Sequence, residues 1–294
     1  MKEGNLMLQD LSSGRLENEF RNLQPAWADR VVCISGSSVL LYRAETDLLQ
    51  MPVFADVQKW SEDHGWKAWG ETSFRYLFRM QGVNYFLFMG DSGSCDDQAY
   101  HYDQVRNFRQ LQSKEVAFAL LTAWHLYCWY RNNRYCGCCS TPTVHDDKER
   151  MLRCPVCGNM IFPKISPAII VAVTDGDRIL LSKYAGRTYA HYALLAGYTE
   201  IGETLEQTVH REVMEEVGLC VKNIRYYKSQ PWGIDGNVLM GFFCDLDGDD
   251  TITVDTTELS FAQWFERSEV PARDDGFSLT REMIRVFTEG REPR

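Results

Sequence analysis

One stretch of the chain gathers Glu203, Glu212, Glu215 and Glu216 around Arg211, bounded by Gly197 and Gly218. Glu212 and Glu216 are four residues apart, so a helix places them on one face, with Glu215 close by and Arg211 set to pair with Glu215. Carboxylates crowded in this way repel one another unless a cation joins them, and hard oxygen ligands suit Mg²⁺ or Mn²⁺. A second group is built for a different metal. Cys136 and Cys139, then Cys154 and Cys157, form two Cys-x2-Cys pairs with fourteen residues between them. Pairs at that distance make a tetrahedral thiolate cage for one Zn²⁺ per chain. With every position filled by protein, no site is left for water, and the zinc is expected to be structural. Gly137 and Gly158 are expected to supply the backbone freedom of the two knuckles, and Cys138 is a spectator.

These residues need elements to hold them. Thr204 and Gln207 make a capping-box pair that starts a helix over Thr204–Val217, and Gly218 can end it in a left-handed conformation. Leu205, Val209, Val213 and Val217 recur every four residues and form its core stripe. Around it, Ala168–Val173 and Arg178–Lys183 read as strands flanking an Asp175-Gly176-Asp177 turn. Val238–Asp245 reads as a strand and Ser278–Glu289 as a closing helix. Upstream, Val31–Ile34 and Val39–Tyr42 read as strands around Ser35-Gly36-Ser37-Ser38, Tyr85–Met89 as another strand, and Ser113–Arg131 as a helix with a broad apolar face. The expected organisation is an N-terminal accessory domain of mixed α/β character at 1–134, a four-cysteine zinc ribbon at 135–160 and a second mixed domain at 161–294, in all an α+β protein.

From Gly197 to Leu219 the residues match the pattern G-x5-E-x7-R-E-U-x-E-E-x-G-U, with Val213 and Leu219 as the aliphatic positions. This is the Nudix box, and the chain resembles the Nudix hydrolase superfamily. The resemblance implies a mixed β-sheet sandwiched by helices. It also implies that divalent ions on Glu212 and Glu216, with Glu203 and Glu215 also in the box, bind a substrate diphosphate for attack by an activated water. Glu216 is then the first candidate for the essential catalytic carboxylate, and Arg211 orients the glutamates without touching phosphorus.

Three further features narrow the resemblance. The cysteine module directly precedes the box, a separate domain precedes that module, and Ser229-Gln230-Pro231-Trp232 begins ten residues after the box. With Phe162-Pro163-Lys164-Ile165-Ser166-Pro167, these are similar to the NADH pyrophosphatase family, over roughly Tyr135 to the C-terminus. That family cleaves NADH or NAD⁺ into nicotinamide mononucleotide and AMP, usually as a homodimer. Carried over, the resemblance makes Glu258 a further metal ligand and places substrate contacts at Phe162, Ala196, Tyr198, Gln230, Pro231 and Trp232.

One segment departs from the pattern. The family motif S-Q-P-W-P-F-P-x-S continues here as Gly233-Ile234-Asp235-Gly236-Asn237 after Trp232, so a stiff segment becomes a loop with two glycines. The change bears on substrate preference and not on the diphosphate chemistry. The alternatives are another nucleoside diphosphate derivative such as ADP-ribose or a dinucleoside polyphosphate, or removal of an NAD cap from RNA. A nucleotide sensor or a nucleic-acid-binding zinc protein would have no use for all the glutamates.

Composition sets the outer bounds. In 294 residues, 45% hydrophobic and 24% charged, there is room for two cores and no sign of disorder. The formal net charge of −10, from 31 basic and 41 acidic residues, argues against a dedicated duplex-DNA binder. It gives an RNA substrate no electrostatic help, which leaves NAD-capped RNA as the one nucleic-acid partner in view. Of the apolar runs, Ile165–Val173 is too short to span a bilayer, and Val116–Tyr130 carries Thr122 and His125 and reads as a core helix. No membrane partner is expected. The start, MKEGNLMLQD, lacks the features of a secretory signal. Ten cysteines, five of them between Cys136 and Cys157, then point to metal and not to disulfides, and the expected compartment is the cytoplasm.

Overall fold

The computed structural model describes residues 7–11, 15–43, 49–70, 72–95, 98–111, 113–186, 191–271 and 276–293. The first six residues of the N-terminal stretch read above lie outside them. The chain divides into two compact units, one of residues 10–164 and 233–236, the other of residues 1–9, 165–232 and 237–294.

The first unit holds the strands β1 (Arg30–Val32), β2 (Ser38–Arg43), β3 (Phe74–Met80), β4 (Val83–Phe88) and β5 (Tyr100–Gln104), with helices α1 (Phe54–Asp63) and α2 (Lys114–Asn132). β3 and β4 pair antiparallel and β1 joins β4 in parallel, while β2 pairs with β5 in a second sheet. The strand expected over Val31–Ile34 is broken at Cys33. Arg30–Val32 joins the first sheet and Ile34–Ser35 joins β2 in the second, so the chain changes sheet there. Val31, Cys33, Leu40, Val57, Trp60, Tyr76, Phe86 and Phe88 fill the core between them. Helix α2 starts at Ser113, whose hydroxyl accepts from the Val116 amide at 3.3 Å. Its two polar interior residues find partners: Thr122 donates to the Phe118 carbonyl, and the His125 ring meets the Lys164 carbonyl at 2.7 Å. No helix among the described residues is long and apolar enough to cross a membrane. After α2, three short antiparallel strands, β6 (Val144–His145), β7 (Leu152–Arg153) and β8 (Met160–Ile161), carry the cysteine knuckles.

The second unit is organised by β9 (Ser166–Asp175), whose side chains alternate between two helices. Ile169, Val171 and Val173 face α3 (Leu205–Val217), where they meet Val209, Val213 and Val217. Ile170 and Ala172 face α4 (Leu279–Thr288), where they meet Leu279, Met283, Ile284 and Phe287. A strand buried on both faces reads as the continuous apolar run seen in its sequence. The sheet is mixed. β9 runs parallel to β13 (Asn237–Leu246) and antiparallel to β11 (Leu195–Tyr198), and its end forms a hairpin with β10 (Arg178–Tyr184). β12 (Val221–Trp232) and β14 (Leu259–Glu266) form the edges, on β13 and β10. The result is the expected sheet between helices.

Candidate active site and zinc centre

The four thiols converge. Cys136 and Cys157 Sγ lie 3.5 Å apart, Cys139 and Cys154 3.4 Å, and Cys139 and Cys157 3.6 Å. A zinc–sulfur bond of about 2.3 Å gives a tetrahedron with edges of roughly 3.8 Å, so the set fits zinc. None of the four is in a disulfide. The two knuckles repeat one hydrogen-bond pattern. Cys136 N donates to Thr141 O and receives the Ser140 amide on its carbonyl, as Cys154 N donates to Asn159 O and receives the Gly158 amide. Backbone amides also point at sulfur, Cys138 N to Cys136 at 3.4 Å and Cys157 N to Cys154 at 3.5 Å. The Cys138 and Cys139 amides bring the Cys136 thiol down to about 6, which readies it as a thiolate ligand. One expectation is corrected here. The left-handed residues of the knuckles are Ser140 and Gly158, with φ of 59° and 75°, while Gly137 does not take a positive φ. The repeat places the demand one residue after the second cysteine of each pair.

The carboxylates are held differently. Helix α3 starts at Thr204, whose hydroxyl accepts from Gln207 N while the Gln207 side chain accepts from Thr204 N, and it ends at Gly218 with φ of 71°. The buried stripe fixes its rotation, so Glu212 and Glu216 turn inward beside the sheet, 8% and 2% exposed, and Glu215 turns out. Gly197 on β11 is what admits Glu212: a Cβ there would lie 1.9–2.2 Å from the carboxylate carbon and oxygens. Arg211 ties the group together with all five of its N–H bonds. Nε and Nη2 grip Glu203 at 2.6 and 2.9 Å, Nη1 reaches Glu212 at 2.7 Å and Glu215 at 2.9 Å, and Nη2 also donates to the Tyr198 carbonyl at 2.9 Å. Glu203 receives two more donors, the Glu200 amide at 3.1 Å and the Thr208 hydroxyl at 3.0 Å. Arg211, with the Glu200 amide, holds the Glu203 carboxyl down to about 2.

Glu216 is the exception. Both of its oxygens are buried with no hydrogen-bond partner. Burial, and then the charges of Glu212 and Glu258, push its carboxyl up to about 8. Glu212 is also raised, by burial, with Arg211 opposing. An orphaned carboxylate among others is the environment a hard cation would satisfy, so these residues fit a divalent metal. Among the described residues, however, only the four thiols bring three or more potential ligand atoms within 4.8 Å of one another. The expected divalent ligands are not drawn in that far, and Arg211 neutralises Glu203, Glu212 and Glu215 instead. Glu258 is exposed on the turn before β14.

The other expected contacts divide. Tyr198 is half exposed beside the box, and its hydroxyl accepts from Asn237 Nδ2 at 3.3 Å. Ala196 lies on β11 and Pro231 and Trp232 end β12, partly or fully accessible. Phe162 is 53% exposed, so it is not a core residue, and it belongs to the first unit. Gln230 is held by the protein itself. It is wholly buried, donates to Phe277 O at 2.7 Å and Gln9 Oε1 at 3.2 Å, and accepts the Leu279 amide at 2.8 Å. Its oxygen satisfies the first turn of α4, and both of its N–H donors go to protein oxygens. The sequence reading missed Asn237, which is buried beside Tyr198 with Oδ1 unpartnered. Its only trace was its place at the end of the altered motif. That motif's tail, residues 233–236, packs in the first unit, where a Cβ on Gly233 would lie 2.1 Å from the Leu121 carbonyl oxygen of α2.

A mixed sheet between two helices, one of which carries the carboxylates with the loop before it, defines a Nudix hydrolase domain, and the NUDIX domain family model matches residues 164–287. The model described as NADH pyrophosphatase zinc ribbon domain matches residues 131–162. Among curated proteins, the chain is 33% identical over 239 residues to the NAD-capped RNA hydrolase NudC of Shigella dysenteriae serotype 1, covering 76% of this chain and 92% of that one. It is 39% identical over 182 residues to the protein of the same name from Pectobacterium atrosepticum, covering 61% and 70%. A crystal structure of a NUDIX hydrolase from Nitrosomonas europaea is similar with a TM-score of 0.46 and 24% identity, covering 53% of this chain and 91% of that one. The chain belongs to the NADH pyrophosphatase family of Nudix hydrolases, the family of these NudC proteins.

Proposed function

We propose that the protein hydrolyses the diphosphate bond of NADH or NAD⁺ to nicotinamide mononucleotide and AMP, with NAD at the 5′ end of an RNA as an alternative form of the same substrate. The observation that carries this is the Arg211 clamp, which leaves Glu216 as the one buried carboxylate of the Nudix box with both oxygens unpartnered. The names of the relatives supply the nicotinamide dinucleotide as the substrate class.

Glu212 and Glu216, with Glu203, Glu215 and Glu258, are the residues to hold Mg²⁺ or Mn²⁺, which when bound supplies neutralisation of phosphate charge and activation of water. Arg211 keeps Glu203, Glu212 and Glu215 in place and has no N–H left for phosphate. Glu216 Oε1 and Oε2 are buried acceptors that Arg211 leaves unengaged, to hold a cation or to take a proton from the attacking water. Ala196, Tyr198, Pro231 and Trp232 are the candidates on the Nudix unit to hold the nucleotide, and the Phe162 ring is exposed for stacking. In this reading residues 1–134 are an accessory domain, 135–160 the zinc ribbon and 161–294 the catalytic domain of a cytoplasmic homodimer.

The test is a product profile under Mg²⁺ and under Mn²⁺ with NADH, NAD⁺, ADP-ribose, a dinucleoside polyphosphate and an NAD-capped RNA. Release of AMP and nicotinamide mononucleotide as the fastest reaction, free or at an RNA end, is the expected result. Much faster hydrolysis of ADP-ribose or the dinucleoside polyphosphate would overturn the substrate assignment while leaving the Nudix chemistry in place.

A further inference from the structure

A cleft of about 500 Å³ opens within the first unit, between the start of β3, the C-terminal end of α2 and the zinc-ribbon strands. Trp69, Arg75, Tyr130, Arg134, Tyr135 and His145 are among the residues that line it. It shares no residue with the Nudix box or with the four zinc thiols.

Among the described residues, the charge of its lining runs against that of the molecule. In a chain of net charge −10, two guanidinium groups line one cleft, and among the described residues no carboxylate does. Arg75 Nε is buried with no hydrogen-bond partner. The Arg134 guanidinium lies over two rings, 5.2 Å from the Trp69 centroid and 5.9 Å from that of Tyr135, and Tyr135 is 58% exposed. Asp147, the acidic group whose charge acts on both Arg75 and His145, accepts from Asn22 Nδ2 at 3.0 Å. Burial, and then the charge of Arg75, hold the His145 imidazole down to about 4, as expected where positive charge is already in surplus. A cleft lined by one sign of charge focuses its field on small ions of the other sign. A guanidinium stacked on an aromatic face keeps its planar fork of donors for phosphate oxygens, and flat rings beside it suit a base. The volume falls within the range of sites for single small molecules, below what a folded partner would need.

We propose that this cleft binds a nucleotide, its phosphate on Arg75 and Arg134 and its base against the Trp69 or Tyr135 ring. The ligand is a nucleoside monophosphate, either free or as one unit of a single-stranded RNA. The site stands whether or not the diphosphatase reading holds, because it uses none of the same residues.

The test uses the full zinc-loaded chain without added divalent cation. Calorimetry with 5′-AMP and fluorescence anisotropy with a labelled six-nucleotide oligoadenylate are run on the parent, on Arg134→Gln and on Arg75→Gln. Arg134 is exposed, so Arg134→Gln keeps the fold. Arg75→Gln is included if its zinc content and melting temperature match the parent. Binding of at least one probe is expected to weaken fivefold or more in Arg134→Gln, with a shallower salt dependence for the RNA. Weakening with AMP marks the free nucleotide as a ligand, and weakening confined to the oligonucleotide marks the RNA unit. Hydrolysis of a free dinucleotide stays at the parental rate. Parental affinity for both probes in Arg134→Gln, or no binding of either probe by the parent at millimolar concentration, overturns the proposal.

Discussion

Two side chains in the Nudix box divide the electrostatic work. Arg211 spends every donor on protein acceptors, so its charge is fully engaged before any substrate arrives. Glu216 has no side-chain partner, and only the Ala196 backbone amide acts on it as a donor, although it is more deeply buried than any other box glutamate. Replacing Glu216 by Gln keeps the shape and removes the charge, and the carboxyl is largely protonated in the metal-free site near neutral pH in any case. We therefore expect Glu216→Gln to fold normally and to lose turnover by about a hundredfold or more at saturating Mg²⁺ or Mn²⁺. Steady-state rates decide it, and near-parental turnover would remove Glu216 from the mechanism. Arg211 also shows how far single positions can be read from the sequence. Its bond to Glu215 follows from helical spacing alone, whereas its grip on Glu203 and the Tyr198 carbonyl needs the loop before the helix to fold back. No local rule states that fold-back, although the fixed spacing of the box encodes it.

Elements were legible where their signals are local. The capping box of α3, its left-handed Gly218 and its four-residue stripe all stand as the pattern implies, because each involves residues a turn or so apart. The paired cysteines were legible for the same reason, although Ser140 and not Gly137 takes the strained backbone of the first knuckle. The structural task of Gln230 was not legible because its partners are remote: the amide it caps belongs to Leu279, 49 residues along the chain. A motif shared with a family marks a position as constrained without saying whether a ligand or a helix end imposes the constraint. Gln230→Leu should accordingly lower stability by about 1–3 kcal/mol, since it leaves a buried amide unsatisfied. Denaturant melts would show this, and KM for the dinucleotide should stay at the parental value. A raised KM with unchanged stability would return Gln230 to the substrate site. For the zinc ribbon, Cys154→Ser should release the ion and destabilise the knuckles, as structural zinc contributes folding free energy. Elemental analysis checks it, and parental zinc content in that variant would contradict the four-thiol site.

At the scale of the whole molecule, pH should act on stability through groups of opposite sign. Glu216 is raised from 4.5 to about 8, so without a divalent cation the stability it contributes is present below 4.5 and lost as pH rises through 8. His145 is lowered from 6.5 to about 4, so it favours folding progressively as pH rises over that interval and is neutral in both states above it. Glu203, lowered to about 2, loses its contribution only as pH falls below 4.5. Between 6.5 and 8 the Glu216 effect is left unopposed among these three. The zinc-loaded, magnesium-free protein should therefore melt at a lower temperature at pH 8 than at pH 6.5. Added Mg²⁺ or Mn²⁺ should restore the loss, and Glu216→Gln should flatten the slope. A melting temperature that rises across this window in the parent would contradict the assignment.

The contact beneath Gly233 bears on how this sequence can change over generations. Every residue except glycine carries a Cβ, and one at 233 would meet the Leu121 carbonyl oxygen of α2 at 2.1 Å. The proline that the family motif has at this point is therefore closed to this chain as a single step. Accommodating a proline there would need the loop or the helix backbone to shift as well. The loop and the helix are thus coupled through this contact, so any larger residue at 233 has to come with a compensating shift in one of them.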